Sequence, residues 1–83
     1  MINTHIKLQR RPKILLQTGW SKSSLYNRIK DGLFPPQISI GDRAVAFIEH
    51  EVNAVIQAMI EEKTPKQIKA LVADLIKQRK QAA

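Results

Sequence analysis

Five polar side chains crowd one short stretch of the chain: Lys22, Ser23, Tyr26, Asn27 and Lys30. Lysine ammonium groups and Ser or Tyr hydroxyls grip phosphate oxygens. An asparagine amide can pair with both polar atoms of an adenine edge, and a lysine can reach guanine. The segment between Ser21 and Gly32 is built to be a helix. Ser21 is an N-cap whose hydroxyl can accept from the backbone N–H of Ser23 or Ser24, and Gly32 can take the left-handed conformation that ends a helix. Leu25 and Ile29, four apart, then face inward together and turn the five polar residues outward. The pattern is that of a DNA-recognition helix. Asn27 and Lys22 are expected to read bases, while Tyr26 and Lys30 clamp phosphates. The competing reading for Tyr26 is packing against the preceding helix.

Charge is distributed to match. Fourteen Lys and Arg stand against seven Asp and Glu, a formal net charge of +7. Lys7, Arg10, Arg11, Lys13, Lys22, Arg28 and Lys30 lie in the first thirty residues, which hold no acid; the rest of the chain balances to zero. A positive field at one end attracts polyanions.

Length and composition exclude several classes. Eighty-three residues make a single small core. There is no cysteine, and His5 and His50 lack any metal-ligand spacing, so neither disulfide nor metal site is expected. No paired carboxylates, phosphate loop or serine–base arrangement appears, so no catalytic residue, cofactor or enzyme activity is expected. No apolar run has the length of a signal peptide or a membrane span, which predicts a cytoplasmic, nucleoid-associated protein without membrane contact.

The surrounding elements would position the polar helix. Residues 1–9 read as an extended arm or brief strand, from the alternation of Ile6 and Leu8. Pro12 suits the first turn of a helix running from Lys13 to Thr18, with Ile14, Leu15 and Leu16 as its apolar surface. Gly19 permits the reversal into Ser21, giving a helix-turn-helix. Residues 33–36, Leu-Phe-Pro-Pro, stop the second helix. Residues 37–40 and 43–47 then read as two short strands joined through Gly41-Asp42 by a type I′ or II′ turn. A hairpin there is a wing, and Arg43, just past its turn, would reach a phosphate or the minor groove; the competing role is a surface ion pair with Asp42 or Glu49. Residues 49–62 form a helix with Val52, Val55, Ile56, Met59 and Ile60 on one face. Thr64-Pro65 opens a last helix to about residue 80, with Ile68, Leu71, Val72, Leu75 and Ile76 as its stripe. That stripe is either a lid on the core or a surface for self-association. The closing Lys77, Arg79 and Lys80 suit a solvated helix end.

In this order, Thr18-Gly19, Ser21 to Tyr26, Ile29 to Gly32, Phe34-Pro35, Gly41 to Val45 and Glu51 to Ala54 resemble the AlpA-type prophage regulators. These are small winged-helix proteins related to MerR-like regulators and phage excisionases, and the likeness covers roughly residues 8–60. It implies a mainly α fold with a small β-hairpin. A winged helix-turn-helix domain would then span residues 1–63; the amphipathic helix of residues 64–83, packed on it or used for self-association, is additional, and the resemblance says nothing about it. It also implies a sequence-specific regulator of transcription in a prophage or integrated element, contacting double-stranded DNA through Lys22, Ser23, Tyr26, Asn27, Lys30 and Arg43. An excision directionality factor working with an integrase is the alternative within DNA binding, and a protein-interaction adaptor the alternative outside it. A second copy on adjacent sites is a further expected partner. The chain departs from the family pattern at Asn27-Arg28, where the polar position is shifted by one, and at Phe47 and Val55, where tryptophans are usual. His50 stands where the family commonly has an N-cap serine.

Overall fold

The computed structural model describes residues 6–81. The first five residues of the expected arm, residues 82 and 83 of the terminal segment, and the Lys80 and Gln81 side chains lie outside that description. The described elements are β1 (Leu8–Gln9), α1 (Arg11–Thr18), α2 (Lys22–Lys30), β2 (Ile38–Gly41), β3 (Ala44–Ile48), α3 (Glu49–Ile60) and α4 (Pro65–Gln81). Helix-turn-helix, hairpin and two further helices follow in the expected order, a winged helix-turn-helix with a C-terminal helix.

Helix α1 begins two residues earlier than expected, at Arg11, with Pro12 in its first turn. Its end is set by Gly19 at φ 75°, whose N–H donates to the Leu15 carbonyl at 2.8 Å. Thr18 tightens the same corner: its hydroxyl donates to the Ile14 carbonyl and accepts from the Trp20 N–H. Three consecutive apolar residues cannot all face one side of a helix at 100° per residue. Ile14 is buried, Leu15 half-buried, and Leu16 is 86% exposed.

The sheet is antiparallel in the order β1-β3-β2. The brief strand expected in the N-terminal segment is its short edge strand. Gln9 pairs with Phe47 and is buried beside it, whereas Ile6 and Leu8 point out. Gln9 Nε2 donates to Glu49 Oε2 at 3.2 Å, while its Oε1 is buried without a partner. On the other edge the register slips between Ser39 and Gly41, so Ile40 is an extra residue, a β-bulge. The bulge moves the turn one position along the chain. Gly41 pairs with Ala44, and Asp42-Arg43 form the turn; Gly41-Asp42 do not. Positive φ falls on Arg43 (57°) and not on Asp42, so the turn is neither of the primed types, which need it at the first central residue.

One core joins all layers: Ile14, Leu25, Phe34, Phe47, Val52, Val55, Ala58, Ile68, Val72 and Leu75. Phe34 stands edge-on between Trp20 and Phe47, with centroids 5.5 and 6.0 Å away. Phe47 thus fills the position where the family pattern has tryptophan. Helix α3 starts at Glu49 after Ile48, so His50 lies inside its first turn and is not its cap. It ends at Ile60, two residues short of expectation, and Ile60 itself is exposed.

Helix α4 opens with a reciprocal capping box: Thr64 Oγ1 accepts from the Gln67 N–H, and Gln67 Oε1 accepts from the Thr64 N–H. Its Ile68, Val72 and Leu75 enter the core, Leu71 is half-buried, and Ile76 is exposed. Arg79 is not a solvated helix end. Its Nε donates to Glu51 Oε2 at 2.7 Å, and its Nη2 donates to Glu51 Oε1 and to the Pro36 carbonyl. Glu51 is 1% exposed and the Arg79 side chain 22%, so this fork pairs a buried carboxylate with a half-buried guanidinium and ties α4 to α3 and to the segment entering the wing.

Candidate nucleic-acid interface

Helix α2 is fixed at both ends by its own sequence. The Ser24 N–H donates to the Ser21 hydroxyl at 3.1 Å, as an N-cap requires. At the other end Asp31 is the C-cap and Gly32 follows at φ 77°. The Gly32 N–H donates to the Ile29 carbonyl, and the Leu33 N–H to the Arg28 carbonyl at 2.8 Å, the paired bonds of a Schellman ending. Leu25 is fully buried and Ile29 packs against the core. At 100° per residue, Asn27 lies about 180° from the mean direction of those two side chains, with Ser23 and Lys30 on the same outer arc. All three are exposed, and so is Lys22, the first residue of the helix, about 140° round from Asn27.

Tyr26 is placed differently from its four companions. It is half-buried, and its hydroxyl donates to Gln37 Oε1 at 2.9 Å while accepting from Arg11 Nη1 at 3.3 Å. The phenol therefore ties α2 to the start of α1 and to the residue before β2. In this arrangement its hydroxyl's donor and acceptor capacity is largely committed within the protein. Arg43 sits at the tip of the wing, exposed, in the left-handed region. Among the described residues it has no acid at ion-pair distance, so the expected alternative pairing with Asp42 or Glu49 is not formed. Ser23, Asn27 and Lys30 thus share one solvent-facing surface, Lys22 is exposed at the first turn of α2, Arg43 occupies the wing tip, and Tyr26 ties α2 to its neighbours.

Arg28 and Gln37, neither expected as a site residue, hold the surroundings of α2. The Arg28 guanidinium lies 4.3 Å over the Trp20 ring, a cation–π contact. Trp20 in turn abuts Phe34. An arginine can thereby stand at a position the family pattern makes apolar, because its stem and planar head cover an aromatic face. The signal was present in the sequence as the only tryptophan, eight residues before Arg28. Gln37, by contrast, had no signal beyond lying just before the wing.

Among the described residues no cluster of His, Cys, Asp or Glu is arranged to hold a metal ion, and no helix is long and apolar enough to cross a membrane.

Comparison with known proteins adds the context. A protein of Enterobacteria phage P4 named "Uncharacterized protein ORF88" is 39% identical to the chain over 51 residues, covering 61% of this chain and 58% of that protein. The chain therefore spans little more than half the length of this relative. No solved structure gives a significant match. Residues 7–60, from the edge strand to the end of α3, match the family described as prophage CP4-57 regulatory protein (AlpA). The chain belongs to that family of prophage regulatory proteins.

Proposed function

We propose that the chain binds double-stranded DNA with sequence preference and regulates transcription within a prophage or integrated element. One observation carries this reading. Helix α2 is capped at both ends and backed by the core, and it presents Ser23, Asn27 and Lys30 to solvent on one face, with Lys22 exposed at its first turn. A rigid helix with that surface fits the major groove, where amide and ammonium groups read base edges. Lys7, Arg10 and Lys13 are exposed beside the helix-turn-helix and supply phosphate contacts, with Arg43 adding one from the wing. Tyr26 acts here by orienting α2 against α1 and the wing. An excision factor would use the same interface; the regulator reading follows the family's description.

The test is a fluorescence-anisotropy titration of duplex DNA over a range of salt concentrations. Several phosphate contacts release several counterions, so log K should fall against log salt with a slope of about −3 to −6. A slope near zero, or no binding at low salt, removes the DNA reading. A module of this size buries about 600–1,000 Å² on DNA, so a second copy on an adjacent site would add specificity. Cooperative binding to two-site over one-site duplexes is the readout for that partner.

A further inference from the structure

Helix α4 lies outside the segment that matches the family, yet it packs on α3 and touches the segment that leads from α2 to the wing. Near its start, Lys69 Cγ is 3.9 Å from the point a Cβ on Gly32 would occupy, against the residue that ends α2. Near its other end, Arg79 donates to the Pro36 carbonyl. Helix α4 thus follows the chain from the end of the recognition helix toward the wing. Its inner face is spent on Ile68, Val72 and Leu75. Its outer face carries Lys66, Lys69 and Lys77, which at 100° per residue lie within an arc of about 80°. All three are exposed, and none is at ion-pair distance from a carboxylate among the described residues. The acid of α4, Asp74, lies to one side of this arc and accepts a hydrogen bond from Gln78 at 2.8 Å.

We infer that this lysine stripe is a second phosphate-binding surface, which carries the backbone of the same double-stranded DNA past the recognition helix. The inference rests on the DNA reading above and extends its footprint. Three things select the DNA backbone as the occupant. The stripe is uniformly cationic and its partner polyanionic. It continues the proposed interface through Lys69, whose stem meets the end of α2. From Lys66 to Lys77 it spans about 16 Å, the rise of roughly five base pairs. The position of Lys66 also argues against a purely structural role. It stands in the first turn of α4, which holds no acid, so its charge opposes the positive end of the helix dipole. Its presence costs the helix stability.

The experiment compares the full chain with Lys66→Gln/Lys69→Gln in salt-dependent anisotropy titrations on a selected binding site and on random duplex. The expected result is a salt slope smaller in magnitude by about 1 per lysine removed, with binding weakened by the same factor on both DNAs. Lys66→Gln alone should hold or raise the melting temperature while weakening binding, which separates the effect from unfolding. Lys63→Gln, which removes an equal charge paired with Glu61 at 4.0 Å, is the control and should leave the slope nearly unchanged. Unchanged slope and affinity in the double variant, with the unmodified chain still binding, overturn this inference and leave the DNA reading intact. An equal loss per charge in the control reduces the stripe to a general net-charge effect and also overturns it. Failure of the unmodified chain to bind any duplex removes both.

Discussion

Helices α2 and α4 both turn lysines outward and apolar residues inward, but they are held by different physics. Helix α2 is placed by local devices: Ser21 at one end, the Gly32 ending at the other, and the Trp20 ring under Arg28. Each involves partners at most eight residues apart. Helix α4 has a local start in the Thr64–Gln67 box, but its far end is held by long-range contacts, the buried Leu75 in the core and Arg79 on Glu51 and Pro36. Both helices also pack into the shared core, but the ends of α2 are set within its own segment, whereas the last turns of α4 add an ion pair to a residue 28 positions away.

Breaking that pair should produce the largest effect. Arg79→Met leaves the Glu51 carboxylate, 1% exposed, without its counter-charge. Removing one partner of a buried pair typically costs about 3–5 kcal/mol, a large share of the total for a small domain. Urea unfolding should show that loss, and adding Glu51→Leu to the same variant should restore most of it. If Arg79→Met is as stable as the unmodified chain, α4 is not anchored as described.

The same contrast explains what could be read in the sequence. The recognition helix, its caps and the inward Leu25 and Ile29 were legible because their determinants sit within one or two turns of each other. The capping threonine of α4 and the buried Ile68, Val72 and Leu75 were legible for the same reason. Arg79 was not: a basic residue near a helix end reads as a favourable dipole interaction until a partner 28 residues away is known. The wing turn shifted because a bulge at Ile40 adds a residue to one strand, and bulges leave little trace in a four-residue pattern. Gln9 faces the core because its two-residue strand takes its register from Phe47, which the alternation of Ile6 and Leu8 could not indicate. Tyr26 could be placed on the helix, but its tie to Gln37 spans the break at Pro35-Pro36.

A middle-sized effect should appear at the local devices. Ser21→Ala removes the side-chain acceptor of the Ser24 N–H and should cost about 1 kcal/mol of stability, read by thermal melting. Because the cap also fixes the start of the reading face, DNA affinity should fall with it. A melting temperature that does not move would mean the helix start is held by packing and not by its cap.

A smaller effect of opposite sign sharpens the comparison at another helix end. Helix α3 closes with the same paired bonds as α2, the Glu62 N–H to the Met59 carbonyl and the Lys63 N–H to the Ala58 carbonyl. Here the left-handed position, φ 57°, is held by a glutamate. Glu62→Gly should therefore stabilise the protein by up to about 1 kcal/mol without altering DNA binding. Arg43, at φ 57° in the wing turn, carries similar strain. Arg43→Gly should raise the melting temperature as well, but weaken DNA binding. Equal behaviour of the two variants on DNA would remove Arg43 from the interface.

The claim on which the functional account turns is that the outer face of α2 reads bases, and Asn27 lies at its centre. The direct measurement is a titration of the unmodified chain and Asn27→Ala against a site selected from a random-sequence pool and against a scrambled duplex. The account predicts a loss of about 1–3 kcal/mol of binding on the selected site and almost none on the scrambled one. Equal losses on both, or none on either, would contradict it.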